Sequence, residues 1–216
     1  YVDKASEKRI VERLHELLPE AGFIAEEGSG SLEEQEYCWV VDPLDGTSNY
    51  IHDCAPYCVS IALRNREEIL LGVVYECVRE ELFWANKNSR AYLNGKEICV
   101  SDQSVLDQSF IMPELPYKAE RYSPFILPLM RDLYGHVSGI RMLGSAAAEL
   151  CYVAAGRFEI FIEAFLGPWD IAAGYIILKQ AGGRMTDFSG NSNGPDAKEV
   201  LASNGKVHQE LLKVLQ

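Results

Sequence analysis

Residues 39–47 read Trp-Val-Val-Asp-Pro-Leu-Asp-Gly-Thr, an apolar run that leads into two acids and a Gly-Thr pair. Its apolar start predicts a short buried strand that delivers Asp42, and Pro43 stiffens the turn that follows. Asp45 comes three residues after Asp42, a separation at which a tight turn can bring two carboxylates together. Two carboxylates that close repel each other unless they share a cation or a proton. Because Mg²⁺ prefers hard oxygen ligands, the segment predicts a magnesium site to which the Leu44 carbonyl adds a further oxygen.

The end of this segment is suited to binding an anion. Gly46 permits the close approach of a ligand, and Thr47 is predicted to cap a short helix that runs through Asn49 and Tyr50. A helix N-terminus presents free N–H groups to an anion such as phosphate. Since Asp, Pro, Gly and Thr are all common in turns, the alternative is a plain turn with a helix cap and no ligand.

Two further acidic segments favour the metal site over the plain turn. Glu26 and Glu27 follow a predicted buried strand, although by themselves they also fit a solvated charge pair at the start of a loop. Pro168 suits the first turn of a helix, and Asp170 then lies near the positive end of the helix dipole, where an acid is favourable even without a ligand. Together, these acidic strand ends and helix starts predict a binuclear metal centre.

The hydrophobic pattern predicts an α+β N-terminal half and an α/β C-terminal half. A helix over 4–18 places Ile10, Leu14 and Leu17 on one apolar face, and Asn94-Gly95 is a strong hairpin signal. The other predicted strands cover 23–25, 38–41, 57–64, 69–77, 80–86, 108–113, 137–142, 157–163, 183–187 and 199–203. The other predicted helices cover 118–134, 145–155, 168–182 and 206–215. The strands before residue 100 read as a largely antiparallel sheet, and the two halves are expected to pack as a layered sandwich of helices and sheets.

We expect one compact unit made of two lobes. The N-terminal α+β lobe, residues 1–113, carries most of the predicted metal ligands, and the C-terminal α/β lobe, residues 114–216, carries Asp170. Pro113 and Pro116 mark the predicted junction, because prolines interrupt regular elements.

The composition fits a folded domain that acts on small molecules. The 216 residues are 48% hydrophobic and 24% charged, which provides a sizeable core and argues against disorder. The formal net charge of −12 disfavours non-specific nucleic-acid binding, and the apolar runs are too short to cross a membrane. Acidic surfaces also help solubility, so the charge by itself does not establish a cation site. No signal peptide is visible, which favours a cytoplasmic protein, and a start at Tyr1 rather than Met is what part of a longer chain would show.

The cysteines are expected to be buried thiols rather than disulfides. Most of them stand in apolar runs of a large chain without a secretory signal, and free cysteine packs as a small hydrophobe. Their spacing lacks the second pair that a structural zinc needs. The six are Cys38, Cys54, Cys58, Cys77, Cys99 and Cys151.

The acidic motifs resemble those of the inositol monophosphatase family, within the Mg²⁺-dependent, lithium-sensitive phosphatase superfamily. The resemblance covers nearly the whole chain and rests on Asp3, Ala25-Glu26-Glu27, the segment from Trp39 to His52 and the segment from Trp169 to Gly174. The long central segment is highly specific, and all of these elements stand in the family's order. The resemblance implies the inositol monophosphatase/fructose-1,6-bisphosphatase-like fold, with alternating helix and sheet layers.

The resemblance also implies two to three Mg²⁺ ions in each site. Glu26, Asp42 and the Leu44 carbonyl would bind the first ion. Asp42, Asp45 and Asp170 would bind the second. Phosphoryl transfer depends on positioning and on charge neutralisation more than on covalent chemistry, so this ligand set agrees with a phosphatase.

For the attacking water, the resemblance implies three catalytic residues. Thr47, supported by Asp3 and Glu26, would position and deprotonate the water, which attacks phosphorus in line. The backbone amides of Gly46 and Thr47 would bind the phosphate. No phospho-enzyme intermediate is expected.

The substrate contacts implied by the resemblance lie in the C-terminal half. The run Arg141-Met142-Leu143-Gly144-Ser145-Ala146-Ala147 resembles the family's substrate loop, in which a helix starts at Ser145 and its backbone faces the hydroxyls of a sugar alcohol. Glu163 lies seven residues before Asp170, where inositol phosphatases place an acid that accepts hydrogen bonds from the ring. The alternative for Glu163 is an exposed charge at a strand end. With Asp45 and Asp170, these residues favour inositol 1-phosphate as the substrate.

Two departures from the family pattern, and several alternatives, remain. Ala25 replaces the usual Gly, and the helical segment that family members carry before Asp3 is missing from this sequence. Other superfamily substrates are 3′-phosphoadenosine 5′-phosphate, other 3′(2′),5′-bisphosphates, histidinol phosphate and fructose 1,6-bisphosphate. A catalytically silent regulatory homologue is the alternative from another class. The family resemblance further implies a homodimer that acts on a small phosphate ester. The acidic composition adds the expectation that neither nucleic acid nor a membrane is a partner.

Overall fold

The computed structural model describes residues 1–28, 35–115, 119–192 and 194–215. The first sheet consists of β1 (Gly22–Ala25), β2 (Tyr37–Asp45), β3 (Cys58–Asn65), β4 (Ile69–Glu76), β5 (Glu81–Asn86), β6 (Ala91–Leu93) and β7 (Lys96–Ile98). These strands neighbour one another in sequence order. β1 is parallel to β2 and the other pairs are antiparallel, which confirms the largely antiparallel sheet.

The predicted hairpin joins β6 and β7. Asn94 and Gly95 have φ of 48° and 77°, the positive values that a tight two-residue hairpin turn requires. The hairpin prediction is therefore confirmed.

The second sheet is mixed. It consists of β8 (Phe110–Pro113), β9 (Gly139–Ile140), β10 (Ile160–Ala164), β11 (Arg184–Thr186) and β12 (Glu199–Ser203). The order across the sheet is β11-β12-β10-β8-β9, in which β10 is parallel to β8 and antiparallel to β12. β8 lies within the predicted N-terminal lobe, residues 1–113, but its strand partners belong to the second sheet. The division into two lobes at residue 113 stays a proposal.

Six α-helices lie around and between the two sheets in the part of the chain that the structure describes. They are α1 (Val2–Leu17), α2 (Thr47–Ile51), α3 (Ala119–Leu133), α4 (Ala146–Ala154), α5 (Pro168–Gln180) and α6 (His208–Leu215). All the predicted helices are present. Leu17 was predicted to lie on the buried face of α1, which is wrong, because 74% of the residue is exposed at the end of the helix.

The helices and sheets alternate as layers. One buried apolar cluster contains α4 and α5 together with residues of both sheets, so these two helices form the central layer. A second cluster packs α1 on β1 and β2, and a third packs α3 and α6 on the second sheet. The layers touch closely: a Cβ on Gly72 of β4 would lie 2.7 Å from the Ala173 carbonyl oxygen of α5. The expected layered α/β sandwich is confirmed.

Two further expectations concern helices and cysteines. Among the described residues, no helix combines the length and the apolar character needed to cross a bilayer. All six cysteines are free thiols, as expected. The expectation that they are buried holds for Cys38, Cys58 and Cys151. It is wrong for Cys77, which is partly exposed, and for Cys54 and Cys99, which lie in exposed loops.

His208, at the start of α6, is a buried titratable group that contacts strands β11 and β12 of the second sheet. It is 0% exposed. Its Nδ1 lies 2.8 Å from Ser203 Oγ, and its Nε2 lies 3.0 Å from Thr186 Oγ1. Burial, with a smaller effect of the Arg184 charge, lowers the pKa of His208 to about 4.

We predict that His208 makes the protein less stable in mild acid. Its pKa is about 4 when folded, against an ordinary value of 6.5, so the unfolded chain binds the proton first as the pH falls. The stabilisation is complete above the ordinary pKa and decreases as the pH falls towards the folded value, by about 2 kcal/mol at pH 5. Urea unfolding is the measurement. Between pH 7 and pH 5, the free energy of unfolding of His208→Gln should fall by about 2 kcal/mol less than that of the wild type.

The matched control is His136→Gln, since His136 is exposed. This variant should keep the pH dependence of the wild type. An unchanged pH dependence in His208→Gln would contradict the assignment.

Candidate active site

An irregularity in β2 turns its two carboxylates to the same side. Asp42 pairs with Ser60 and Asp45 pairs with Cys58, so three steps along β2 match two steps along β3. In a regular strand, the side chains of residues three apart point to opposite faces of the sheet. The extra residue of the bulge brings Asp42 and Asp45 to the same face. Pro43 is tolerated at such a bulge because its missing N–H breaks no ladder bond there. The prediction that the strand ends at Asp42 is therefore wrong, since β2 continues to Asp45.

Asp170 reaches the same point from the first turn of α5. Pro168 is at the helix start, as predicted, and the Gly167 amide donates to Asp170 Oδ2 at 2.7 Å. One carboxylate oxygen from each of Asp42, Asp45 and Asp170 lies within 4.8 Å of the other two. The predicted convergence of a strand and a helix start on one acidic cluster is present.

Glu26 joins this cluster because β1 and β2 run in parallel and end at the same edge. The Glu26 amide donates to the Val41 carbonyl at 3.3 Å, and its side chain is near enough to Asp42 for the two carboxyl groups to affect each other's pKa. Buried Glu7 of α1 accepts the Glu27 amide at 2.8 Å and so fixes the turn that carries Glu26.

The clustered acids raise one another's pKa. Burial, followed by the charges of Asp45, Glu26 and Asp170, raises the pKa of Asp42 well above its ordinary value. Burial and the Asp45 charge raise the pKa of Asp170 to about 7. The pKa of Asp45 is raised by burial, and that of Glu26 by burial and by the neighbouring acids. Without positive charge this arrangement is unfavourable, which is the condition that a bound cation relieves.

A cavity of about 460 Å³ lies over the cluster. None of the described residues that line it is a Lys, Arg or His. Its acidic lining consists of Glu26, Asp42, Asp45, Glu114, Glu163 and Asp170. Several carboxylates with no basic partner are a donor set that fits a hard divalent cation such as Mg²⁺. A larger cavity of about 770 Å³, lined by Arg64, Arg66 and Trp169 among others, lacks such a cluster.

Gly46 and Thr47 form the start of α2, with a change from the prediction. Gly46, with φ of 84°, is the residue before the helix, and Thr47 is its first residue, so the prediction that Thr47 caps the helix is wrong. The Thr47 hydroxyl donates instead to the Leu44 carbonyl at 2.9 Å. Gly46 is required by space, because a Cβ there would lie 2.9 Å from the Pro56 carbonyl oxygen. The charge of Asp3 contributes to the raised pKa of Glu26. Among the described residues, no hydrogen bond joins Asp3 to Thr47, whose hydroxyl donates to Leu44.

The predicted substrate loop lies against Asp45. Ser145 precedes α4, which begins at Ala146, and Gly144 has φ of 74°. The Ser145 hydroxyl and the Ala147 amide donate to Asp45 Oδ2 at 2.7 and 2.8 Å. Gly144 and Ala146 both line the cavity.

Glu163 lies on β10 and also lines the cavity. It is half-buried rather than an exposed strand-end charge. Burial and the charges of Glu114, Asp45 and Asp170 raise the pKa of Glu163 well above its ordinary value.

Sequence reasoning missed other residues of this region. Glu114 follows β8 directly, the same signal that identified Glu26, and it lines the cavity. Asn49 of α2 donates to the carbonyls of Leu143 and Pro56 at 2.6 and 2.7 Å and holds two loops together. Phe165 lines the cavity with φ of 73°, and no sequence signal predicts a left-handed conformation for Phe.

Comparison with known proteins gives a consistent result. The sequence profile described as the inositol monophosphatase family matches residues 1–216. The Nus factor SuhB of Pseudomonas aeruginosa is 37% identical over 220 residues, covering 100% of this chain and 81% of that protein. A fructose-1,6-bisphosphatase/inositol-1-monophosphatase of Thermotoga maritima is 36% identical, covering 99% of this chain and 80% of that protein.

The fold is also similar to that of solved proteins. The crystal structure of the extragenic suppressor protein suhB from Bartonella henselae superposes with a TM-score of 0.94 at 36% identity, covering 99% of this chain and 83% of that one. Since the profile covers the whole chain and the relatives exceed 30% identity over nearly all of it, the chain belongs to the inositol monophosphatase family, a family of phosphatases.

Proposed function

We propose that this chain hydrolyses small phosphate monoesters with Mg²⁺, and that inositol 1-phosphate is the preferred substrate. The observation that carries the proposal is the convergence of Asp42, Asp45 and Asp170 within 4.8 Å beneath a cavity whose described lining has no basic residue. Such a site needs cations, and a phosphate ester binds where cations are held.

The metal ligands divide into two sets that share Asp42. Glu26, Asp42 and the Leu44 carbonyl are proposed to hold one ion, and Asp42, Asp45 and Asp170 a second, with room for two to three ions in all. When bound, Mg²⁺ supplies Lewis-acid chemistry, neutralising the phosphoryl oxygens and making water a better nucleophile. The Leu44 carbonyl has a second lone pair available, because Thr47 occupies only one.

The chain's own groups would orient the water and the phosphate. The Thr47 hydroxyl directs its proton to the Leu44 carbonyl, so its oxygen can accept a hydrogen bond from water. Glu26, whose pKa burial raises, is suited to take up the proton, with Asp3 as a further charge beside it. The amides of Gly46 and Thr47 belong to the start of α2, where N–H groups lack partners within the helix and can bind phosphate. The water attacks phosphorus directly, without a phospho-enzyme.

For the alcohol part of the substrate, the acidic cavity favours hydrogen-bond donors over a second anionic group. Glu163, together with Asp45 and Asp170, can accept hydrogen bonds from hydroxyl groups. Gly144 and Ala146 also line the cavity, with buried Ser145 between them. A second phosphate would meet Glu163 with no Lys, Arg or His among the described lining residues. This supports inositol 1-phosphate over bisphosphate substrates.

Fructose 1,6-bisphosphate is the second candidate, because the Thermotoga maritima relative bears both activities in its name. The 3′(2′),5′-bisphosphate nucleotides and histidinol phosphate are further alternatives within the superfamily. A non-catalytic regulatory role is opposed by the presence of Asp3, Glu26, Asp42, Asp45 and Asp170 together.

We also propose that the protein works in the cytoplasm as a homodimer, without a nucleic-acid partner or a membrane. The net charge of −12 supports the nucleic-acid part of this proposal. Because the Pseudomonas aeruginosa relative carries the name Nus factor, a gel-shift assay with RNA is the appropriate check.

Asp45→Asn should remove most of the phosphatase activity, with kcat falling by roughly 100-fold or more, as for other groups that stabilise a transition state. It should also abolish the stabilisation by Mg²⁺. In the wild type, Mg²⁺ at about 100 times its Kd should raise Tm by roughly 5–10 °C. Both effects are measured by phosphate release and by thermal unfolding with and without Mg²⁺.

Asp107→Asn is the matched control, since Asp107 is exposed outside the cavity and the charge change is identical. Wild-type turnover in Asp45→Asn would disprove the assigned role of this carboxylate.

Glu163→Gln should lower kcat/KM for inositol 1-phosphate by about 10-fold, because a charged acceptor for the ring hydroxyls is lost. The wild type should prefer inositol 1-phosphate to fructose 1,6-bisphosphate, 3′-phosphoadenosine 5′-phosphate and histidinol phosphate. The panel is run with and without Li⁺, and Glu210→Gln, an exposed acid on α6, is the control. A preference for a bisphosphate would overturn the substrate proposal while leaving the phosphatase proposal intact.

A further inference from the structure

Two buried glutamates bind three consecutive backbone amides of the substrate loop. Glu114 Oε1 accepts the Leu143 amide at 2.6 Å and the Gly144 amide at 3.3 Å. Glu149 Oε2 accepts the Ser145 amide at 3.3 Å. The amides of 143–145 therefore all have carboxylate acceptors from within the protein.

Neither glutamate has a basic partner in these contacts. Glu114 is 8% exposed and Glu149 is 0% exposed. Among the residues that the structure describes, no group donates to the buried Glu149 Oε1, and the nearby Glu114 carboxyl group adds to burial in raising the pKa of Glu149. Glu163 of β10 adds a third negative charge nearby. Two buried carboxyl groups in contact are stable when they share one proton.

The loop held by these glutamates contacts Asp45 and α2 on its other side. Ser145 donates its hydroxyl to Asp45 Oδ2 at 2.7 Å. Asn49 donates to the Leu143 carbonyl at 2.6 Å. Gly144, between them, has φ of 74°, a left-handed conformation that glycine adopts readily.

We propose that Glu114 and Glu149 act together as positioning residues: they share a proton and fix the loop of residues 143–145, which carries proposed contacts to the alcohol part of the substrate. Neither residue contacts the reacting atoms. The effect on catalysis rests on the proposed function, whereas the effect on the loop does not.

The test compares Glu149→Ala with Glu149→Gln. A Gln side chain can donate an N–H to Glu114 and accept the Ser145 amide, so it reproduces the protonated acid, whereas Ala cannot. Glu149→Ala should raise KM for inositol 1-phosphate by about 10-fold, the loss expected for one buried hydrogen bond. It should change kcat/KM for 4-nitrophenyl phosphate, which has no polyol, by less than about 3-fold. Glu149→Gln should stay within about 3-fold of the wild type for both substrates.

Glu159→Ala is the matched control for a buried glutamate with a purely structural role. Glu159 is 7% exposed and accepts the Phe110 amide at 2.6 Å and the Ser101 hydroxyl at 2.7 Å. It lies at the start of β8, whereas Glu114 follows the end of β8, and it does not line the cavity. It should lower Tm without the increase in KM.

Hydrogen exchange of the amides of residues 143–145 gives a readout that needs no activity. Exchange should be at least about 10-fold faster in Glu149→Ala and unchanged in Glu149→Gln. The proposal is wrong if the two Glu149 variants are equally impaired, if Glu149→Ala behaves like Glu159→Ala, or if exchange in the loop does not respond. If the wild type hydrolyses neither ester, the proposed function fails, and the exchange comparison still decides the role of the glutamates.

Discussion

Repulsion between buried carboxylates is the constraint on which the rest of the site depends. Asp42 is 1% exposed, and Asp45, Glu26 and Asp170 all raise its pKa. Folding places these acids together without a basic residue among the described cavity lining, so the arrangement is unfavourable until positive charge is bound. The scaffold therefore has to hold the acids in place against their own repulsion.

The scaffold does this with backbone donors and element ends. The bulge in β2 aligns Asp42 with Asp45, the parallel pairing of β1 with β2 brings Glu26 to the same edge, and the first turn of α5 supplies Asp170. Amides of Leu44 and Gly167 donate to Asp42 and Asp170. These bonds stabilise the charged form of each acid and partly offset the effect of burial.

Those parts of the fold and the site that depend on the conformational preferences of neighbouring residues could be predicted from the sequence. Asn94-Gly95 specifies its turn through the φ values that these two residues tolerate, and Pro168 with Asp170 specifies a helix start. The β2 bulge cannot be predicted from the sequence, because the register of a strand depends on its partner, and the sequence therefore predicts a strand that ends at Asp42.

Other features depend on contacts between residues distant in sequence. Thr47 was expected to cap α2, but Gly46 precedes the helix and the Thr47 hydroxyl turns to Leu44, an outcome set by the crowding of Gly46 against Pro56. Glu149 is separated from Glu114 by 35 residues, and nothing in the spacing indicates that both bind one loop. The metal-binding role proposed for the acids follows from the geometry that these long-range contacts produce.

The most direct test of that role is anomalous diffraction from crystals of this protein soaked in Mn²⁺, which takes the same oxygen ligands as Mg²⁺. We expect at least one strong anomalous peak within about 2.5 Å of carboxylate oxygens from Asp42, Asp45 and Asp170. Absence of a peak at this cluster at saturating Mn²⁺, or a peak only elsewhere on the surface, would contradict it.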